Sequence, residues 1–304
     1  MNEAASTVNL SREDWLEQRR KGIGGSDASV IMGVNPWKSP MDLWLEKTGE
    51  YEPEDIDNEK MYWGRTLEDI VAREFAKRSG KKIRRRNAIL QHPKLEWMLA
   101  NVDRLIVGER AGLEVKTTSA YYQDDGICPH HYYAQVQHYM AVTGLDLWYV
   151  AVLIGGQKLV SYEVPRNDEY IKHLTQAELG FWQMVKGGVP PEFDGSEASG
   201  KVLGRMYPRG NGEEKGLPAD AFELVRQYDE AAQEEKTAKL RKDEAANRLK
   251  GMLGEAEQGF VFDRTVKWKN VSSTRLDTKA LQEKEPDVFE RYAKESIYRR
   301  FSVK

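Results

Sequence analysis

Leu67, Val71 and Phe75 fall four residues apart in "EKMYWGRTLEDIVAREFAKRSG", the spacing that lines one face of a helix, and Gly80 stops the run. The same grammar appears upstream. "SREDWLEQRRK" opens on a capping box of Ser11 and Asp14 and ends at "GIGG", where Ser26 and Asp27 are placed to cap a second, short helix. "SPMDLWLEKTG" has Ser39 as N-cap, Pro40 at the first helical position and Gly49 as C-cap. Beyond Gly80 the pattern shortens to strands: "KKIRRRNAIL", "WMLANVDRLIV" and "GLEVKTT". A helix is expected from about Pro129 to Thr143, followed by the apolar runs "LWYVAVLI" and "KLVSYEV" and a helix ending near Lys186. Helices that alternate with and flank strands predict an α/β fold, a central mixed β-sheet between helical layers.

After this the character of the chain changes. "GGVPPEFDGSEASG" is rich in Gly, Pro and Ser and reads as a linker. It divides the chain into a first domain over 1–195, a linker over 196–216 and an appendage over 217–304. The appendage opens on a charged, Ala-rich segment from Leu217 to Leu253 whose sparse apolar positions predict one long helix or a helical hairpin. "FVFDRTVKWKNV" predicts a hairpin turning at Asp263 and Arg264, followed by a charged helix and a closing strand, "SIYRRFSV".

Composition narrows the function classes. With 304 residues there is ample chain for a real core. A net charge of -3 with 31% charged residues does not announce a nucleic-acid binder, although segregated charge leaves room for a basic groove. The single cysteine, Cys128, excludes a disulfide framework and a thiolate-held cluster, and it fits a reducing cytoplasm. A polar N-terminus and the lack of a long apolar run predict neither a standard secretion signal nor a membrane span.

The candidate chemistry lies in "NVDRLIVGERAGLEVKTTS". Strand side chains alternate faces, so Glu114 and Lys116 point one way while Val115 points into the core, and Asn101 and Asp103 share a face of the preceding strand. Asp103 and Glu114 on neighbouring strands supply the one or two carboxylates that magnesium takes alongside water and phosphate oxygens. Lys116 beside them suits metal-assisted phosphodiester hydrolysis. The same spacing also fits a surface hairpin with cross-strand ion pairs, which contribute little to stability. "GIGGSD" before a helix is a turn whose N–H groups can face an anion, or a helix entry held by close packing. It lacks the Gly-x-x-x-x-Gly-Lys-Ser/Thr pattern of a triphosphate loop.

Five separated motifs, "GIGGSDASVIMGVNPWKSPMDLWLEKTGE", "WGRTLED", "NVDRL", "LEVK" and "YYAQVQHYM", occur in an order that resembles the YqaJ-type viral recombinases, relatives of phage lambda exonuclease within the PD-(D/E)XK nuclease superfamily. The resemblance spans Trp15 to Lys186. It implies Asp103, Glu114 and the Val115 carbonyl as magnesium ligands, with manganese as an alternative ion and Glu68 as an additional acidic residue at the site. It further implies Lys116 as the residue that activates water and Gln135 as a brace. Arg19 and Ser26 match the residues that grip the terminal 5′-phosphate of duplex DNA, and Asn101 stands where the relative has a serine. The implied activity is a 5′→3′ exonuclease on linear double-stranded DNA that leaves a 3′ strand for phage-type recombination in a bacterial cytoplasm. The implied partners are DNA ends, a strand-annealing protein and further copies of the chain, by resemblance in a trimer, with no membrane. An endonuclease on the same fold and a non-catalytic DNA-end scaffold are the competing readings.

The remaining features read more plainly. "KKIRRR" is either a basic strand tracking a DNA backbone or an alternating strand with a solvated face. His131 and His138 fall on one helical face, but no further ligand completes a standard zinc set. Trp15, Trp37, Trp44 and Trp63 are expected to pack, with one of them wedging DNA ends apart as the alternative, and Cys128 is expected to be inert. Trp268 and Tyr298 are expected in the core of a small module, with stacking on single-stranded bases as the alternative. The appendage as a whole is expected to bind a recombination partner or the displaced strand.

Overall fold

The computed structural model describes residues 2–7, 11–51 and 58–303 and forms two compact units, Met1–Met206 and Tyr207–Lys304. In chain order the first unit contains β1 (Asn2–Ser6), α1 (Arg12–Arg20), α2 (Gly25–Ile31), α3 (Pro40–Thr48), α4 (Glu59–Ser79), β2 (Ile83–Arg85), β3 (Ala88–Gln91), β4 (Leu99–Asn101), β5 (Arg104–Ile106) and β6 (Ala111–Thr118). It continues with α5 (His130–Thr143), β7 (Leu147–Ile154), β8 (Lys158–Pro165), α6 (Asp168–Gly187) and α7 (Glu197–Met206).

The caps form largely as their residue types dictate. Ser11 Oγ accepts from the Asp14 N–H, and Ser39 and Asp42 make a reciprocal capping box ahead of Pro40. Gly49 and Gly80 close α3 and α4 in the left-handed region. At α2 the detail differs from expectation: Gly24 is the N-cap, and the Asp27 carboxylate reaches back to the Gly24 N–H at 2.9 Å.

The central sheet is mixed and five-stranded, in the order β2-β5-β6-β7-β8, with β6 and β7 parallel and every other pair antiparallel. The parallel pair needs a crossover, and α5 supplies it. One sheet face packs on α5 through Val136, Met140, Trp148 and Val150, and the other packs on α4 through Val71, Phe75, Leu113 and Val115. A third cluster, containing Ile23, Leu43, Trp44, Phe181 and Val202, joins α2, α3, α6 and α7.

"WMLANVDRLIV" is not one strand. The chain leaves a separate three-stranded sheet, ordered β1-β3-β4, after Asn101 and enters the central sheet at Arg104. "KKIRRRNAIL" is split in the same way between β2 and β3. Asn101 and Asp103 therefore do not share a strand face, and Asp103 sits in the two-residue step between sheets. The stretch read as a linker is helical in its first half: α7 buries Ala198 and Val202. Trp44 is buried, whereas Trp37 and Trp63 are exposed.

The second unit contains α8 (Ala221–Leu253), β9 (Gln258–Val261), β10 (Arg264–Lys267), α9 (Thr278–Lys284) and α10 (Pro286–Tyr292). The hairpin turns through Phe262 and Asp263, and Ser296–Val303, expected as a strand, carries no regular structure. Trp268 and Tyr298 are exposed and form no core. No helix among the described residues is long and apolar enough to cross a membrane.

Candidate active site

β6 brings Glu114, Val115 and Lys116 to the middle of the sheet, and strand alternation separates them. Val115 enters the cluster under α4, while Glu114 and Lys116 face α5. Lys116 Nζ lies 2.6 Å from Glu114 Oε1, and Gln135 on α5 donates its amide to the same oxygen at 2.7 Å. Gln135 Nε2 also lies 2.8 Å from the Tyr139 hydroxyl, one helical turn on. The other carboxylate oxygen, Glu114 Oε2, is buried with no hydrogen-bond partner.

Asp103 approaches from the strand edge. The β5–β6 ladder pairs Arg104 with Leu113 and goes no further along β6, so the Val115 N–H is left for the Asp103 Oδ2, which accepts it at 2.8 Å. The N–H and C=O of one strand residue face the same neighbour, which puts the Val115 carbonyl on the Asp103 side. Burial pushes the Asp103 carboxyl well above its ordinary range, and the nearby Glu114 and Glu68 carboxylates push it the same way. Burial pulls Lys116 down, but Glu114 and Asp103 outweigh it and keep the ammonium charged.

This donor set fits a hard divalent cation. Two carboxylates and a carbonyl oxygen converge, one buried carboxylate oxygen lacks a partner, and the second carboxylate is electrostatically frustrated as a bare anion. Among the described residues no three His, Cys, Asp or Glu side chains gather into a metal-binding group. Glu68 Oε1 is held by Arg104 Nη1 at 2.7 Å, and Arg104 Nη2 holds Asp69 at 3.1 Å. Glu68 thus lies beside Asp103 but is paired away from the Asp103–Glu114 pair.

Next to these carboxylates a cavity of about 150 Å³ is lined by Arg19, Ser26, Asn101, Gln135, Tyr139 and Lys47, among others. The three residues assigned to a terminal phosphate, distant in sequence, therefore share one cavity, and Gln135 links it to Glu114. Asn101 also lines a second, strongly polar cavity with Asp103, Glu68 and Arg104, so it stands between the two.

A buried charge network sets the Arg19 side chain. Arg19 Nη2 contacts Asp27 at 3.0 Å and Ser26 Oγ at 3.2 Å, with Glu46 at 3.7 Å and its guanidinium over the Trp15 ring. Lys47 Nζ meets Asp27 at 2.7 Å and donates to the Arg19 and Gly22 carbonyls. Burial alone would raise Asp27, but Lys47 and then Arg19 hold it well below the carboxylate range. On Lys47 the balance goes the other way, because burial lowers it more than Asp27 raises it.

The glycines of "GIGG" are required by packing. A Cβ on Gly25 would stand 2.3 Å from the Tyr139 ring, and one on Gly22 would stand 2.3 Å from the Trp97 carbonyl oxygen. The Ile23 and Gly24 N–H groups are taken by Trp97 O and Asp27, so at those two positions the loop offers an anion no amide.

His138 is fully buried and uses both ring nitrogens, Nε2 donating to the Leu99 carbonyl at 2.8 Å and Nδ1 meeting Glu178 at 2.7 Å. It is therefore a structural histidine, not a zinc ligand. Burial lifts the Cys128 thiol to about 12, consistent with an inert side chain. In "KKIRRR", Arg85 pairs with Asp69, Arg86 with Glu3 and Lys81 with Glu109, so much of its charge is answered locally.

Glu46, Lys47, Tyr139 and Arg104 escape the sequence reading, and Asp27 enters it only as a helix cap. One signal was present for α5: it carries polar residues at 135, 137 and 138 yet is buried nearly all round, and such residues require specific partners.

A profile described as a YqaJ-like viral recombinase domain matches residues 14–146. The Bacillus subtilis (strain 168) protein YqaJ is 46% identical over 308 residues, covering 99% of this chain and 96% of that protein. The chain belongs to the YqaJ family. A mimivirus protein, R354 of Acanthamoeba polyphaga mimivirus, is 26% identical over 152 residues, spanning 44% of this chain and 27% of its own length. Among solved structures, an alkaline exonuclease from Laribacter hongkongensis aligns at 15% identity and TM-score 0.47 over 64% of this chain and 100% of its own. A putative exonuclease from Eubacterium rectale aligns at 13% identity and TM-score 0.46 over 70% and 97%.

Proposed function

We propose that this YqaJ-family protein is a metal-dependent deoxyribonuclease that digests linear double-stranded DNA from its 5′ ends and leaves 3′ single strands for recombination by annealing. The observation that carries the reading is Glu114: one oxygen is fixed by Lys116 and Gln135, the other is buried and unpartnered, and the carboxylate as a whole raises the Asp103 carboxyl nearby.

Asp103, Glu114 and the Val115 carbonyl would hold magnesium, or manganese in its place. The ion, when bound, polarises the scissile phosphate and offsets charge building on its oxygens. The protein's own residues do the rest. The Lys116 ammonium lies at the same carboxylate and orients water or stabilises charge on the phosphorus oxygens. Gln135 and the Val115 N–H keep the two carboxylates from rotating away. Arg19, Ser26 and Asn101 grip a terminal 5′-phosphate in the adjoining cavity, so that the first linkage falls at the carboxylates. Glu68 joins the site only by exchanging Arg104 for it. The strand-annealing partner, the trimeric ring and a cytoplasmic setting belong to the same proposal and rest on the resemblance to the lambda-exonuclease-like recombinases alone.

The test is digestion of a 5′-phosphorylated linear duplex, labelled on either strand, with magnesium or EDTA, beside a covalently closed circle. Metal-dependent mononucleotide release from 5′ ends alone is the expected result. Cutting of the closed circle moves the reading to an endonuclease. Tight end binding without cleavage moves it to a scaffold.

A further inference from the structure

The 33-residue α8 is about 50 Å long and buries none of its side chains. Helices in proteins draw most of their stability from a packed face, and α8 lacks one. Its sequence nonetheless carries a heptad stripe. Leu224, Ala231, Ala238, Ala245 and Met252 fall at one core position, and Tyr228, Glu235, Lys242 and Leu249 at the other. Leu224, Leu249 and Met252 on this stripe are exposed, and Tyr228, against which Phe301 stands edge-on, remains 46% exposed.

The charge along α8 is divided at its middle. From Ala221 to Glu235 there are five acidic residues and one basic, and from Lys236 to Leu253 six basic and two acidic, a net -4 followed by a net +4. Compensation of the helix dipole does not account for this, because that effect fades within the first and last turns, whereas the sign here changes at mid-helix.

We infer that α8 is an antiparallel docking surface for α8 of a second copy of this chain. An antiparallel pair with its twofold axis between Lys236 and Thr237 sets the acidic half of each helix on the basic half of the other. In the same register Leu224 faces Leu249 at the ends, and the inner layers set a large residue against a small one: Tyr228 faces Ala245, Ala231 faces Lys242, and Glu235 faces Ala238. Glu235 then lies one layer from Lys242 of the second helix, so the two polar core positions answer each other. A parallel pair stacks Glu235 on Glu235, Lys242 on Lys242 and like halves on like. Charge thus selects both the partner and its direction.

The test uses the full chain with Cys128→Ser. Leu224→Cys and Leu249→Cys proteins, oxidised separately and after mixing, are expected to form a disulfide-linked dimer at least about tenfold more readily in the mixture than either forms alone. This readout is specific to α8 whatever association the first unit makes. Efficient self-linking of Leu224→Cys alone, or no linking in the mixture, overturns the inference. Sedimentation of Glu235→Lys, Lys242→Glu and the double exchange guards against misfolded variants. Each single change is expected to weaken association about tenfold, and the double exchange to restore it. Equal association of all three with the parent protein overturns the inference as well.

Discussion

Gln135 donates to Glu114 Oε1 across 2.7 Å, from the crossover helix that joins the two parallel strands. The contact is buried, and it shares its oxygen with Lys116, so the opposite oxygen is the one left without a partner. A helix residue therefore sets the rotamer of a strand carboxylate. Gln135→Ala is expected to lower turnover about 10- to 100-fold, the usual effect of removing a partner of a metal-holding side chain. Part of the loss should return at higher magnesium. Rates measured against magnesium concentration decide this, and an unchanged half-saturating concentration contradicts the bracing role.

Glu114 and Asp103 keep the Lys116 ammonium charged, and the proposed function gives it a part in the chemistry more than in binding. Lys116→Ala is expected to reduce hydrolysis by about 10²- to 10⁴-fold. Binding of a duplex end, followed by anisotropy in EDTA, should change little. A parallel collapse of binding would reassign Lys116 to substrate capture.

Arg19 and Ser26 make a different prediction, because they line the adjoining cavity and their contacts run to each other, Asp27 and Glu46 instead of Asp103 and Glu114. Arg19→Ala should slow digestion of 5′-phosphorylated ends and leave 5′-hydroxyl ends nearly unaffected, with Ser26→Ala a weaker version of the same defect. Equal slowing on both kinds of end removes the phosphate assignment.

Asp27 links the pocket to stability. Its carboxyl is held well below its ordinary 3.8 by Lys47 and Arg19 against the cost of burial. A depressed carboxyl contributes stability that is complete above its unfolded value and is lost as pH falls through that value toward the folded one. The first unit should therefore weaken progressively below about pH 4. Asp27→Asn, which leaves Lys47 buried without its counter-charge, should cost about 3–5 kcal/mol at neutral pH. The variant should also show a flatter acid dependence. Urea unfolding at pH 7 and pH 3 measures both, and parallel pH profiles for the two proteins would exclude Asp27 as the source.

How much of this was legible in the chain follows a physical line. Caps, glycine stops, the helical stripe of α4 and the alternation of Glu114, Val115 and Lys116 are short-range properties, set by residues within a turn or a strand of one another. The sequence by itself determined those, together with the residue types that mark the carboxylate site. Other features depend on parts of the chain that meet only on folding. The step at Val102 and Asp103 from one sheet to another looks, in sequence, like an unbroken strand, because both halves have strand composition. Arg104 capturing Glu68 joins residues 36 positions apart, and Asp27 with Lys47 and Arg19 reads as three ordinary surface charges until burial removes water from around them. The tertiary structure decided these, since the energy of a charge depends on its surroundings, and the surroundings of Asp27, Glu114 and Asp103 are assembled from elements distant along the chain.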